Sequence, residues 1–400
     1  MKLTTQLKIS FPDPSLRQSL LHTLETANAA CNYISQVAFD NQAFDRIKLH
    51  NLVYKNVRDK FNLPAQLTAR CIGKVKDAYK STRAQLRSEN HRRRTLNRRL
   101  TKQNKKLIGL AELRVIKFSK WGSMPYDDRN LTFKPDNSIS IGTLDGRIRC
   151  DLIGGDYNLN LLQYRKGESD LSFRDGQFYL NVTCEIQDGE LFLAEDYLGI
   201  DRGIRNIAVD SDGVKYGHGR YLRRRRYQYC QVRAQLQSKK TKSAKRRLRM
   251  RRRKERRFAT DVNHVISKQI VQKAERTKTA IVLEDLTGIR TSERVYGRYG
   301  YTKHTWAFRQ LEDFIRYKAK LTGVTVISVN AANTSRTCPN CECCDKANRN
   351  RSWFRCVKCG FRGEADNVAA TTIRCLGAVN HPNAGVFELS RKPRPLGRGS

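Results

Sequence analysis

The sequence predicts a multidomain α+β protein. A β-rich N-terminal part is interrupted by a helical bundle, and an α/β unit carrying a small cysteine-rich insert follows. Three observations predict this. Apolar spacing changes from two residues to three and four at Ser15, short alternating runs follow Gly109, and strand and helix patterns alternate from Asp196 onward.

Lys2 to Ile9 sets Leu3, Leu7 and Ile9 among Thr and Lys, as a half-buried strand does, and Pro-Asp-Pro at 12–14 stops it. From Ser15, a candidate N-cap, Leu16, Leu20, Leu24, Ala27, Cys31, Ile34 and Ala38 fall on one helix face. Further helices are predicted over 46–60 and 65–106, the last ending in a basic segment from Arg83 to Lys106. After Gly109, the runs VIKFS, LTFKPD, SISIGT, RIRCDLI, DLSFRDG and FYLNVTCEI read as strands of a small barrel or sandwich. The strand at 2–9 is expected to complete that barrel, making the helices an insertion.

A new unit starts near Asp196, where Leu198 to Asp201 and Ile207 to Asp210 read as paired strands around a bend at Gly203. Between Arg220 and Arg257, 19 of 38 residues are Lys or Arg. Tyr221, Leu222, Tyr229, Val232, Leu236, Leu248 and Phe258 recur there at roughly helical intervals, which predicts one long helix lying along a phosphate backbone. Helix continues over 261–277, and a buried strand from Ala280 to Leu283 ends at Glu284. An amphipathic helix over about 305–321 and a strand from Val324 to Val329 follow. The final residues, including SRKPRPLGRGS, are expected to form an untethered basic tail.

A formal net charge of +40, from 78 Lys and Arg against 38 Asp and Glu, is the footprint of a nucleic-acid partner. No apolar run reaches the ~18 to 20 residues of a membrane span. The N-terminus lacks the apolar core of a signal peptide, so a reducing cytoplasm is the expected compartment.

Six of the twelve cysteines crowd into positions 338–359. Cys338-Pro-Asn-Cys341 and Cys356-Val-Lys-Cys359 have the spacing of two knuckles around one tetrahedral Zn²⁺. Cys344 also makes a Cys-x-x-Cys pair with Cys341 and could replace Cys338. With four thiolates the ion has no open position, so its role is structural.

Three carboxylates carry the remaining chemistry. Asp201 follows Leu198 and Ile200 on a strand, Glu284 ends an apolar strand, and Asp366 opens a helix containing Val368, Ala369, Ala370 and Ile373. Phosphodiester cleavage needs charge stabilised on both the attacking and the leaving oxygen, which two divalent ions held by converging carboxylates supply. Mg²⁺ prefers such hard oxygen ligands. Asp210, Asp212 and Asp285 compete for these roles by local position alone. The order strand-Asp, strand-end Glu, helix-Asp favours the three together, because it is the layout of RNase H-like nucleases.

IDRGIRNIAVD, IVLEDL, WAFRQLEDFIRYKAKLTGVTVISVNAANTSRTCPNC and FRCVKCGFRGEADNVAATTI resemble the TnpB (OrfB) proteins of insertion sequences, relatives of the type V CRISPR effectors. The match covers about residues 197–375. The resemblance implies an RNA-guided DNA endonuclease with one RuvC (RNase H-like) site. Asp201, Glu284 and Asp366 would bind two Mg²⁺, and Cys338, Cys341, Cys356 and Cys359 would bind one Zn²⁺.

It further implies a wedge-like β-barrel (1–10 and 110–195) interrupted by a helical recognition lobe (11–109). The nuclease domain would be 196–335 and 361–376, the zinc ribbon 336–360 and the tail 377–400. The implied partners are a transposon-derived guide RNA, a double-stranded DNA target beside a short adjacent motif, and the displaced single strand. A monomer with one RNA, on the nucleoid of a prokaryotic cytoplasm, is expected. An RNA-guided repressor that does not cut and a transposon accessory factor are the alternatives.

The chain departs from the family pattern in places. The family commonly has Asp-x-Asn-Ala-Ala at the third acid, whereas Asp366 is followed directly by Asn367 and then Val368. Asn333 stands where an aromatic is frequent, Glu342 where Gly is usual, and Cys343 and Cys344 are extra.

Overall fold

The computed structural model describes residues 1–203, 206–217, 220–285 and 308–381. The chain divides into two compact units, Met1–Ile186 and Gln187–Ser400.

In the first unit, strand β1 (Lys2–Ser10) leads into helices α1 (Pro14–Asp40), α2 (Arg46–Phe61) and α3 (Ala65–Thr101). Strands β2 (Met124–Tyr126), β3 (Leu131–Phe133), β4 (Ser138–Thr143) and β5 (Gly146–Ile153) follow. A short helix α4 (Asp156–Asn160), β6 (Arg165–Arg174) and β7 (Gln177–Glu185) complete the unit. These strands form one seven-stranded sheet in the order β2-β6-β7-β1-β5-β4-β3. The N-terminal strand therefore sits mid-sheet, antiparallel to β5 and β7, with one face buried as its alternating pattern implies.

The face of α1 read from the sequence is the buried one: Leu20, Leu24, Ala27, Cys31, Ile34 and Ala38 are at most 1% exposed. Each large apolar side chain so buried stabilises the fold by about 1.5–3 kcal/mol. The N-cap is Asp13, whose carboxylate accepts from the Ser15 N–H at 2.7 Å, and not Ser15, because Pro14 fills the first helical position. VIKFS at 115–119 is not a strand. It runs extended against α1, where Asn32 bonds both the N–H and the carbonyl of Phe118 and Ser35 donates to the Ile116 carbonyl. The Asn32 amide and the Ser35 hydroxyl thus take the place of a sheet ladder. Burial along α3 ends at Tyr79, and the basic part beyond is exposed on most of its surface.

The second unit holds a five-stranded sheet built from β8 (Asp196–Asp201), β9 (Ala208–Asp210), β10 (Lys215–Tyr216), β11 (Thr279–Asp285) and β12 (Val326–Asn330), ordered β10-β9-β8-β11-β12. β8, β11 and β12 are parallel, and β9 and β10 are antiparallel additions. Alternation along the strands feeds two cores. Leu198, Ile200, Ile281 and Leu283 pack with helices on one face, and Tyr197, Ala280 and Val282 pack with Ile373 on the other.

The segment expected to be one long helix is a helical hairpin, α5 (Arg220–Ser238) and α6 (Lys242–Arg276). The break falls where Lys240 takes a left-handed φ of 52° and the Thr241 hydroxyl caps α6 by accepting from the Ala244 N–H. Arg233 pairs with Glu255 across the hairpin, and Tyr229 packs on Phe258 at 5.9 Å. Helix α7 (Phe308–Thr322) precedes β12, and the start expected at 305 lies outside the described residues. A three-stranded ribbon sheet, β13 (Arg349–Asn350), β14 (Trp353–Arg355) and β15 (Arg362–Glu364), leads into α8 (Ala365–Asn380). That helix runs past the expected start of the tail at 377, and the tail beyond His381 lies outside the described residues. Among the described residues, no helix is long and apolar enough to cross a membrane.

Candidate carboxylate site and thiolate cluster

Asp201, Glu284 and Asp366 arrive on three different elements of the second unit. The registered pairs of parallel strands β8 and β11 run up to Ile200 and Leu283, and the next residue of each is Asp201 and Glu284, at the carboxyl end of the sheet. Asp366 comes from the first turn of α8. This helix lies close on the sheet because of two glycines. A Cβ on Gly199 would collide with the backbone of Ala370 and Arg374, and one on Gly377 with the Val282 side chain.

The three acids are electrostatically coupled. The Asp201 carboxyl is pushed up to about 8 by burial first and then by the negative charges of Glu284 and Asp366, while Arg349 and Arg202 pull it back only in part. Burial also raises Glu284, against the Thr334 hydroxyl that donates to its Oε1 and against Arg202 and Arg349. Asp366 Oδ2 accepts from Asn206 Nδ2 at 2.9 Å, and Arg349 Nη2 lies 3.3 Å from its Oδ1. Arg202, its side chain fully buried, donates to Glu312 at 2.8 Å and to the backbone carbonyl of Glu284.

The competing acids do other work. Asp210 is fully buried and accepts from Tyr216 Oη at 2.7 Å, from Lys273 Nζ at 2.6 Å, and from the N–H groups of Asp212 and Val214. It anchors a turn to α6. Asp212 pairs with Lys273 at 2.8 Å, and Asp285 is exposed.

In the ribbon, the sulfur atoms of Cys338, Cys341, Cys356 and Cys359 all lie within 4.8 Å of one another. Cys338 and Cys359 are 3.6 Å apart and Cys341 and Cys356 3.5 Å. Four sulfurs about 2.3 Å from a tetrahedral Zn²⁺ would be ~3.8 Å apart, so the quartet fits such an ion. Cys344 lies outside this group, exposed and bridged to Thr337. Glu342 takes the left-handed φ of 58° that Gly would favour, as Gly360 does at 70° in the second knuckle.

Two family comparisons match this unit. The family described as "Probable transposase" (OrfB_IS605) matches residues 184–288, and the "Cas12f1-like, TNB domain" family matches residues 308–373. These two stretches are where the chain resembles known families.

The chain is 32% identical over 142 residues to a TnpB-like protein of Methanocaldococcus jannaschii, covering 34% of this chain and 51% of that one. It is 30% identical over 122 residues to the CRISPR-associated endodeoxyribonuclease Cas12f1 of Sulfoacidibacillus thermotolerans, covering 30% of this chain and 28% of the relative. The chain thus spans about half the length of the first curated relative and under a third of the second. In fold it is similar to the solved mini-RNA-guided endonuclease CRISPR-Cas_phi3, with a TM-score of 0.54 at 11% identity over 98% of this chain and 93% of that one.

Sequence reasoning passed over Arg202, Asn206, Thr334 and Arg349. Arg202 and Asn206 stand inside the motif that carries Asp201, and Thr334 inside the one leading to Cys338. Their positions were the available signal. Nothing local distinguishes Arg349 from its many basic neighbours.

Proposed function

We propose that the chain is an RNA-guided DNA endonuclease that cleaves double-stranded target DNA beside a short adjacent motif, using a transposon-derived guide RNA. The observation that carries this reading is the coupling of Asp201, Glu284 and Asp366 at one end of a sheet, in a TnpB-like region of a chain with net charge +40. The order of the acids supports a RuvC (RNase H-like) domain over 196–335 and 361–376, with a zinc ribbon at 336–360.

The donor set suits Mg²⁺, being all carboxylate, with burial and then the charges of Glu284 and Asp366 raising the proton affinity of Asp201. Two Mg²⁺ ions held by Asp201, Glu284 and Asp366 would stabilise charge on the attacking and leaving oxygens of the phosphodiester. Thr334 orients Glu284, Arg202 ties the Glu284 backbone to Glu312, and Arg349 adds positive charge beside Asp366. Cys338, Cys341, Cys356 and Cys359 would hold one structural Zn²⁺.

Exposed Arg83, Arg87, Arg94 and Arg98 on α3, and Arg246, Arg247, Arg249, Arg253, Arg256 and Arg257 on α6, would grip phosphates without reading sequence. Base pairing by the guide supplies most of the selection. The partners are then one guide RNA, the target duplex and its displaced strand.

The test is to co-express the chain with RNA from its native locus, sequence the RNA that copurifies, and challenge the complex with matching duplexes of randomised flank in Mg²⁺. Guide-dependent cleavage with a preferred flank establishes the reading. Guided binding without cleavage, or no discrete RNA, refutes it.

A further inference from the structure

We infer that Asn206 is a positioning residue for the carboxylate site, holding Asp366 in the orientation in which it serves a divalent cation. The inference rests on the proposed metal-binding role of the three acids.

Asn206 is only 7% exposed, in the connection between Asp201 and Ala208, and its Nδ2 donates to Asp366 Oδ2 at 2.9 Å. The connection that follows the first acid therefore orients the third. Two features fix the amide. Ile207, 2% exposed, is anchored in the core with Ile266 and Tyr216. A Cβ on Gly203 would lie 3.1 Å from the Asn206 carbonyl oxygen, tighter than most such contacts, so bulk at 203 would press on Asn206.

The chemistry of the contact is directional. An amide N–H can only donate, so it holds Oδ2 as an acceptor and occupies one of its lone pairs. Among the described residues the contact at Oδ2 is that of Asn206, and Arg349 meets the acid at Oδ1. The neighbouring Asn367 does not provide this contact. Its Nδ2 lies against Gly213, and its buried Oδ1 has no hydrogen-bond partner among the described residues. Orienting partners of metal-binding carboxylates typically change metal affinity by about 10–100-fold when removed.

The test is a Mn²⁺ titration of the full-length, zinc-loaded, nucleic-acid-free chain, followed by the paramagnetic resonance of free Mn²⁺. Wild type, Asp201→Ala, Asn206→Leu, Asn206→Ala and Asn206→Ser are compared, with a thermal melt of each. Wild type should show a site that Asp201→Ala removes. Asn206→Leu, of similar size but without a donor, and Asn206→Ala should weaken that site about 10–100-fold while remaining folded at the titration temperature. Asn206→Ser, which keeps a donor, should recover part of the loss.

Wild-type affinity in folded Asn206→Leu or Asn206→Ala overturns the inference and leaves the metal-site reading standing. The inference is also overturned if every variant that loses affinity is unfolded at that temperature, since Asn206 would then be a packing residue. No Asp201-dependent Mn²⁺ site in wild type would instead defeat the metal-site reading itself, and the inference with it.

Discussion

Arg349 Nη2 lies 3.3 Å from Asp366 Oδ1, so an arginine of the cysteine-rich ribbon reaches the acid that opens the next helix. Its charge also lowers the proton affinity of Asp201. With Asp201 near 8 in the cation-free protein, an incoming cation must displace a proton below that pH. Apparent Mn²⁺ affinity should therefore rise about tenfold per pH unit up to about 8 and then level. In Arg349→Gln the levelling point should move to higher pH, as titration at several pH values will report.

The same shift predicts a stability slope. The folded-state value of about 8 lies above the ordinary 3.8, so the cation-free fold binds a proton that the unfolded chain releases. This contribution is fully present below about pH 4 and is lost as pH rises through 8. Melts in chelator should show Asp201→Asn to be less destabilised by rising pH than wild type.

Asp201→Ala should abolish cleavage while leaving guided DNA binding within a few-fold of wild type, because the proposed phosphate grip of the basic surfaces would not depend on the acids. Parallel cleavage and mobility-shift assays check this, and cutting at the wild-type rate would remove Asp201 from the site.

Elemental analysis should find one zinc per chain in wild type and in Cys344→Ser, and a large loss in Cys356→Ser. Phe354, Cys338 and Cys356 share a core cluster with Ala365 and Val368 on the helix of Asp366. Cys356→Ser should therefore weaken Mn²⁺ binding as well. Full zinc in Cys356→Ser would remove that residue from the ligand set.

Arg202→Met should lower stability in denaturant unfolding by less than the ~3–5 kcal/mol of a fully buried pair, because Glu312 is partly exposed and keeps Arg316 at 3.0 Å. The double change Arg202→Met, Glu312→Leu should recover part of that loss, since the charge then deprived of Glu312 is the more exposed Arg316. If the double variant is no more stable than the single one, the pair is not the source of the cost.

Much of the second unit was legible because its strands alternate or are wholly apolar and each acid sits at an element's end. The buried face of α1 was legible for the same reason of period. The reading of one helix over 220–257 went wrong where a polar Lys-Lys-Thr turn lies inside an otherwise helical pattern, since Lys240 carries no residue-type signal for a left-handed φ. VIKFS alternates like a strand, yet its backbone partners are the side chains of Asn32 and Ser35, which pattern cannot foresee.

The sequence by itself determined most of the elements, the charge, the cysteine spacing and the TnpB-like motifs, because these depend on short-range period and residue type. Only the tertiary structure decided which groups surround the acids. Asn206 on Asp366, Thr334 on Glu284 and Arg202 between Glu284 and Glu312 join residues 50 to 160 positions apart, or bridge elements that only the sheet brings together. Such contacts follow from strand order and from the close approach that Gly199 allows to α8, and neither is written in local pattern.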